Sequence, residues 1–76
     1  MKYKIYSQYG GRLALLWTGV KKSINEAKSV VHNYYMSKDH HDIIIVRANP
    51  YLDSIACILP KGNSNWIDLL NKDDVV

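Results

Sequence analysis

Residues 23–35 read SINEAKSVVHNYY and carry two independent signals of an α-helix. The first is a capping box, in which the Ser23 hydroxyl accepts from the amide of Glu26 and the Glu26 carboxylate reaches back to the Ser23 amide. The second is an apolar face at helical spacing, formed by Ala27, Val30, Val31, Tyr34 and Tyr35. Together these signals predict a helix over residues 24–37.

A β-hairpin is predicted before this helix. Gly10-Gly11 separates a segment from Lys2 to Tyr9 from a second segment from Arg12 to Thr18. A type I′ turn needs positive φ at both central residues, which glycine adopts without steric cost. Along the first segment apolar and polar residues alternate, as in a sheet with one buried face. On the second segment, period two places Leu13, Leu15 and Trp17 on one face.

Two more strands are predicted after the helix. The β-branched run Ile43–Val46 favours a strand that continues to Ala48. Asn49-Pro50 indicates a turn, and Ser54–Leu59 forms the fourth strand. Beyond Pro60, Ser64 or Asn65 is positioned to cap a short final helix, whose apolar stripe comprises Trp66, Leu69 and Leu70.

The predicted fold class is therefore α+β. We expect a four-stranded, mainly antiparallel sheet in ββαββ order, with one helix packed on one face and a short C-terminal helix. Residues 1–76 form a single domain, in which 71–76 are expected to be a frayed tail.

Length and composition narrow the class of protein. The chain has 76 residues, of which 47% are hydrophobic and 22% charged, and such a length leaves no room for a multi-domain enzyme. No apolar run approaches the roughly 20 residues of a membrane span, and the N-terminal residues do not resemble a secretory signal. Cys57 is the single cysteine, which favours a reducing compartment. We therefore expect a cytoplasmic protein with no membrane partner.

Charge is distributed unevenly along the chain. Residues 1–38 contain seven basic side chains and one acidic one, whereas residues 39–76 contain three basic and six acidic ones. This asymmetry predicts a basic surface that faces an acidic partner, either a protein or a nucleic acid. The candidate partner-binding residues are Lys2, Lys4, Tyr6, Arg12, Lys21, Lys22 and Lys28.

No motif predicts catalysis. Asp39-His40-His41-Asp42 is dense in metal-ligand residue types, but adjacent residues of an extended segment project to opposite sides, so we interpret it as an exposed turn. Cys57 lies within an apolar strand and is expected to be a core thiol. Neither a nucleophile elbow nor a phosphate-binding glycine loop is present. We therefore predict a protein that is not an enzyme and needs no metal or cofactor.

The second face of the sheet raises a separate question. If Arg47 points away from the helix, period two places Ile43 and Ile45 on the same outward face, where Tyr6, Leu16 and Ile58 join them. Such a patch requires a cover or a partner. Three possibilities remain open: the C-terminal segment folds over it, the chain forms a homodimer through it, or another protein docks there.

The leading hypothesis is a small protein that binds a larger protein or ribonucleoprotein complex. In size, in its ββαββ order and in a composition rich in Lys, Asn, Ile and Tyr (28 of 76 residues), the chain resembles the small anti-CRISPR inhibitors that phages encode. That resemblance implies steric blocking of a defence effector inside a bacterial host. The alternative is a nucleic-acid-binding module that uses the basic N-terminal half.

Overall fold

The computed structural model of the protein describes residues 1–69. The strands form one antiparallel sheet in the spatial order β2-β1-β3-β4-β5, and the helix packs on one face of it. The α+β class is therefore confirmed. In chain order the elements are β1 (Lys2–Tyr9), β2 (Arg12–Val20), α1 (Ile24–Tyr34), β3 (Asp42–Ala48), β4 (Ser54–Leu59) and β5 (Ile67–Asp68).

The hairpin and the start of the helix form as predicted. Gly10 and Gly11 have φ of 58° and 79°, the positive values that the tight turn requires. The Ser23 hydroxyl accepts a hydrogen bond from the Glu26 amide at 3.4 Å. The Glu26 carboxylate reaches one residue further than expected and accepts from the amide of Lys22 at 2.6 Å.

The helix ends at Tyr34 rather than at residue 37. Tyr35 leaves the helical conformation because tertiary contacts hold it: its hydroxyl donates to the carbonyl oxygen of Leu16 at 3.0 Å, and its ring packs against the core. Tyr34, predicted to lie on the apolar face, instead projects into solvent. Contacts with β2 therefore end the helix.

The core lies between α1 and the sheet. Isoleucines of β1 and β3 fill its middle, and the helix contributes three small or β-branched residues. The most buried members are Tyr3, Ile5, Ala27, Val30, Val31, Ile43, Ile45, Cys57 and Leu59.

The strand register reverses the predicted orientation of β3. Tyr3 pairs with Arg47 and Ile5 pairs with Ile45, and directly opposed residues of neighbouring strands lie on the same face of a sheet. Because Ile5 and Ile45 are both buried under α1, Arg47 also lies on the helix side. The prediction that Ile43 and Ile45 face outward is therefore wrong.

A register shift in β2 separates residues that were expected to share a face. Ile5 pairs with Trp17 but Tyr6 pairs with Leu15, so Leu16 is an extra residue in β2. Trp17 therefore packs on the helix side, whereas Leu13 and Leu15 point outward.

A fifth strand replaces the predicted C-terminal helix. β5 pairs with β4, and the Leu69 amide donates to the carbonyl oxygen of Ala56 at 2.9 Å. Trp66 is held on the helix side, where its Nε1 donates to Nε2 of His32 at 3.1 Å. Pairing with the free edge of β4 satisfies backbone groups that would otherwise need water. Leu70 and the predicted tail 71–76 lie outside the described residues.

Candidate functional site

The face of the sheet away from α1, here called the open face, carries an apolar row across every strand. Each member pairs directly with the next in the strand register. At about 4.8 Å per strand the row spans roughly 19 Å. In spatial order its members are Leu15, Tyr6, Ile44, Ile58 and Ile67.

Exposure along this row increases from the centre to the edges. Ile44 is only 7% exposed because Tyr6 and Ile58 lie on either side of it, whereas Leu15 and Ile67 are 54% and 51% exposed. Leu13 and Ile55 extend the exposed apolar surface beyond the row. A continuous apolar surface of this kind is typical of a contact with another macromolecule.

Within residues 1–69 the C-terminal segment does not cover the open face. Trp66, which was expected to contribute to such a cover, packs against the core on the other side of the sheet. Leu69 is about half exposed, and Leu70 lies outside the described residues. The hypothesis that the C-terminal segment covers the open face therefore cannot rely on Trp66, the largest side chain of that segment.

Three of the seven predicted partner-binding residues lie on the open face. Lys2, Lys4 and Tyr6 alternate with the buried Tyr3 and Ile5 along β1. Lys4 forms an exposed ion pair with Asp53 at 3.1 Å, and the hydrogen bond to this carboxylate raises the pKa of Lys4. Positive charge is thus positioned beside the apolar row at one end of β1.

The other four predicted residues lie elsewhere. Arg12 follows the hairpin turn, and Lys21 and Lys22 connect β2 to α1. The Lys21 ammonium lies 5.9 Å from the centroid of the Trp17 ring. On the helix side, Lys28 pairs with Asp68 at 2.9 Å and lies over Trp66. The basic half of the sequence is therefore divided between two faces of the sheet and does not form one continuous surface.

The Asp39–Asp42 segment connects two loops through the ring of His40, a role that the sequence analysis did not predict. His40 is buried, contrary to the expected exposed turn. Its Nδ1 lies 2.8 Å from the carbonyl oxygen of His41, and its Nε2 lies 2.8 Å from that of Asn63. The ring therefore connects the loop before β3 to the loop after β4, and each of its nitrogens faces a carbonyl oxygen. Among the described residues no cluster of three or more metal-ligand side chains is present.

Cys57 lies in the core, as predicted. Burial raises the pKa of its thiol to about 12, because the thiolate would lose hydration. A nucleophilic cysteine requires the opposite environment, accessible and electropositive.

These features define a small α+β protein with one helix on one face of the sheet and an apolar second face. Comparison with models of protein families, with curated proteins and with solved structures found no match to this chain. Among residues 1–69 the structure has no helix with the length and apolar character needed to cross a bilayer.

Proposed function

We propose that this protein acts by binding another protein through its open face. The observation that carries the proposal is the five-residue apolar row from Leu15 to Ile67, which no segment of residues 1–69 covers. Interface centres are typically apolar and surrounded by polar groups. Tyr6 supplies an aromatic side chain within the row, and aromatic residues often contribute most to binding energy.

The charges beside the row indicate the chemistry of the partner. Lys2 and Lys4 lie on the open face, and Lys2 makes no ion pair within the described residues. The carboxylate next to Lys4, that of Asp53, already pairs with it at 3.1 Å, whereas Asp42 lies at the opposite end of β1, beside Gln8. Lys2 therefore favours a partner whose apolar surface is bordered by carboxylates.

The specific form that we propose is steric inhibition of a larger effector. Its support is the similarity of this chain, in size and composition, to the small inhibitors that phages direct against CRISPR systems. The basic side chains of the open face suit an acidic protein surface.

The experiment compares two double variants, each of which replaces two exposed apolar side chains with serine. In the test variant, Leu15→Ser and Ile67→Ser truncate both ends of the row, where the side chains are already half exposed. In the control, Tyr34→Ser and Leu52→Ser remove exposed apolar side chains outside the row. Each protein is used for affinity capture from a nuclease-treated host lysate, and light scattering measures its mass.

We expect one stoichiometric protein to be retained by the wild type and the control and lost from the test variant. Lys2→Glu should also weaken its retention. Three results would overturn the proposal: retention that is unchanged by the test variant, a stable homodimer with no other partner, or binding of a bare oligonucleotide that falls steeply with salt. If a CRISPR effector is captured, inhibition of its cleavage should be lost in the same variant.

A further inference from the structure

Cationic side chains line a groove on the helix side of the sheet, at the start of α1. It has a volume of about 430 Å³, within the usual range for small-molecule sites. Lys22, Lys28 and Arg47 line it among the described residues, together with the Asp68 carboxylate, and, in addition to burial, the nearby Glu26 carboxylate raises the pKa of Tyr3. Lys28 already pairs with Asp68 at 2.9 Å, whereas Lys22 and Arg47 form no ion pair within residues 1–69.

Tyr3 adds a phenol side chain to the wall of this groove. The residue is only 3% exposed and lines the groove beside its cross-strand neighbour Arg47. Its hydroxyl has no hydrogen-bond partner within residues 1–69, and because every fully buried side-chain polar atom of these residues has one, the Tyr3 hydroxyl must be accessible to solvent. Burial raises the pKa of the Tyr3 phenol. The hydroxyl therefore keeps its proton at neutral pH and can donate to a ligand.

The first turn of α1 adds backbone donors to the groove. The Ser23 side chain caps the amide of Glu26, and the Glu26 carboxylate is held by the amide of Lys22. Ile24 and Asn25 line the groove, and within the described residues their amides have no acceptor. Unpaired amides at a helix N-terminus favour an anion, particularly a phosphate group.

We propose that this groove binds a phosphate monoester. The phosphate accepts hydrogen bonds from the Tyr3 hydroxyl, from the Arg47 guanidinium and from the amides of Ile24 and Asn25. The groove is larger than a phosphate group, and Met1, Ile24 and Ala56 provide apolar surface for the organic part of the ligand. This site lies on the opposite side of the sheet from the open face, so it is independent of the proposed protein contact.

Titration calorimetry with three probes tests the proposal and separates the sources of the phosphate group. The probes are inorganic phosphate, adenosine monophosphate and a phosphotyrosine peptide, with adenosine and the unphosphorylated peptide as controls. We expect binding only when the phosphate is present, and the tighter organic probe identifies a small metabolite or a modified protein as the source. Amide NMR signals of Ile24 and Asn25 should shift on binding.

Conservative variants identify the groups that bind. Tyr3→Phe removes the hydroxyl and keeps the ring, and should weaken binding about fivefold. Arg47→Gln should weaken it by about tenfold or more. Lys61→Gln, a matched loss of charge beyond the far end of β4, should leave affinity unchanged. No binding at millimolar probe concentration would overturn the proposal, as would equal weakening in all three variants.

Discussion

His40 shows how a single polar residue acquires its role from its surroundings. In the sequence it is one of two adjacent histidines in a polar loop, and nothing local separates it from His41. In the structure His40 is buried and approaches two carbonyl oxygens, whereas His41 is exposed and its ring lies against Tyr9. The carbonyl oxygen of His40 also accepts from the amide of Gly62 at 3.1 Å. The residue therefore links two loops at one end of the sheet.

We expect His40→Ala to lower the free energy of unfolding by about 2–3 kcal/mol, because the hydrogen bond from the ring to a loop carbonyl oxygen is lost and a small cavity opens. His41→Ala is the matched control and should cost about 0.5 kcal/mol. Urea denaturation followed by circular dichroism measures both values. Equal losses in the two variants would show that the His40 contacts contribute nothing beyond those of an exposed ring.

At the scale of the element, α1 depends on its cap as well as on its packing. Only Ala27, Val30 and Val31 are buried among its eleven residues, so the apolar face is short. Helices of this length are marginal without tertiary contacts. The Ser23 cap and the Glu26 carboxylate satisfy donors that the first turn cannot pair internally.

Ser23→Ala is expected to destabilise the protein by about 1 kcal/mol through loss of the cap. Ser29 provides a control on the same helix, since its hydroxyl donates only to the carbonyl oxygen of Asn25. Ser29→Ala should leave stability unchanged or raise it slightly, because alanine has the higher helix propensity. Thermal and urea unfolding compare the two variants, and a similar loss in both would contradict the capping role.

The shape of β2 is also decided at this scale. The extra residue Leu16 lets Trp17 turn toward the helix side, where its ring lies over Gly19. A Cβ atom at Gly19 would lie 2.6 Å from Cζ2 of this ring. The glycine therefore leaves the space that the indole occupies, and the strand keeps its pairing with β1.

At the scale of the whole molecule, the sheet has two apolar faces and the helix covers one of them. The helix side is closed and contains the core, whereas the open face presents its apolar row to the outside. A chain of this length buries only about 60% of the surface that its unfolded form exposes. Stability should therefore depend on one face and binding on the other.

Alanine substitutions on the two faces test whether the helix side contributes more to stability than the open face does. Ile45→Ala, at a fully buried position under α1, should cost about 2–5 kcal/mol. Leu15→Ala, at the edge of the open face, should cost less than about 1 kcal/mol. Urea midpoints measure both effects. A large loss at Leu15 would mean that the open face is also part of the core.

Features that depend on neighbouring residues could be predicted from the sequence. The Gly10-Gly11 hairpin, the helix start at Ser23 and the β-branched strand β3 all appear where their local patterns place them. Of the candidate site, the alternation along β1 also follows from the sequence, because period two within a strand is local, and it places Lys2, Lys4 and Tyr6 on one face.

The remaining features depend on residues distant in the chain, and only the folded molecule decides them. The side of the sheet that Arg47 occupies follows from its pairing with Tyr3, 44 positions earlier. β5 exists because β4 has a free edge, and the groove exists because α1 begins beside Tyr3 and Arg47. Periodicity shows that a strand has two faces, but it does not say which one the helix will cover. That choice is made by the packing free energy of the whole core.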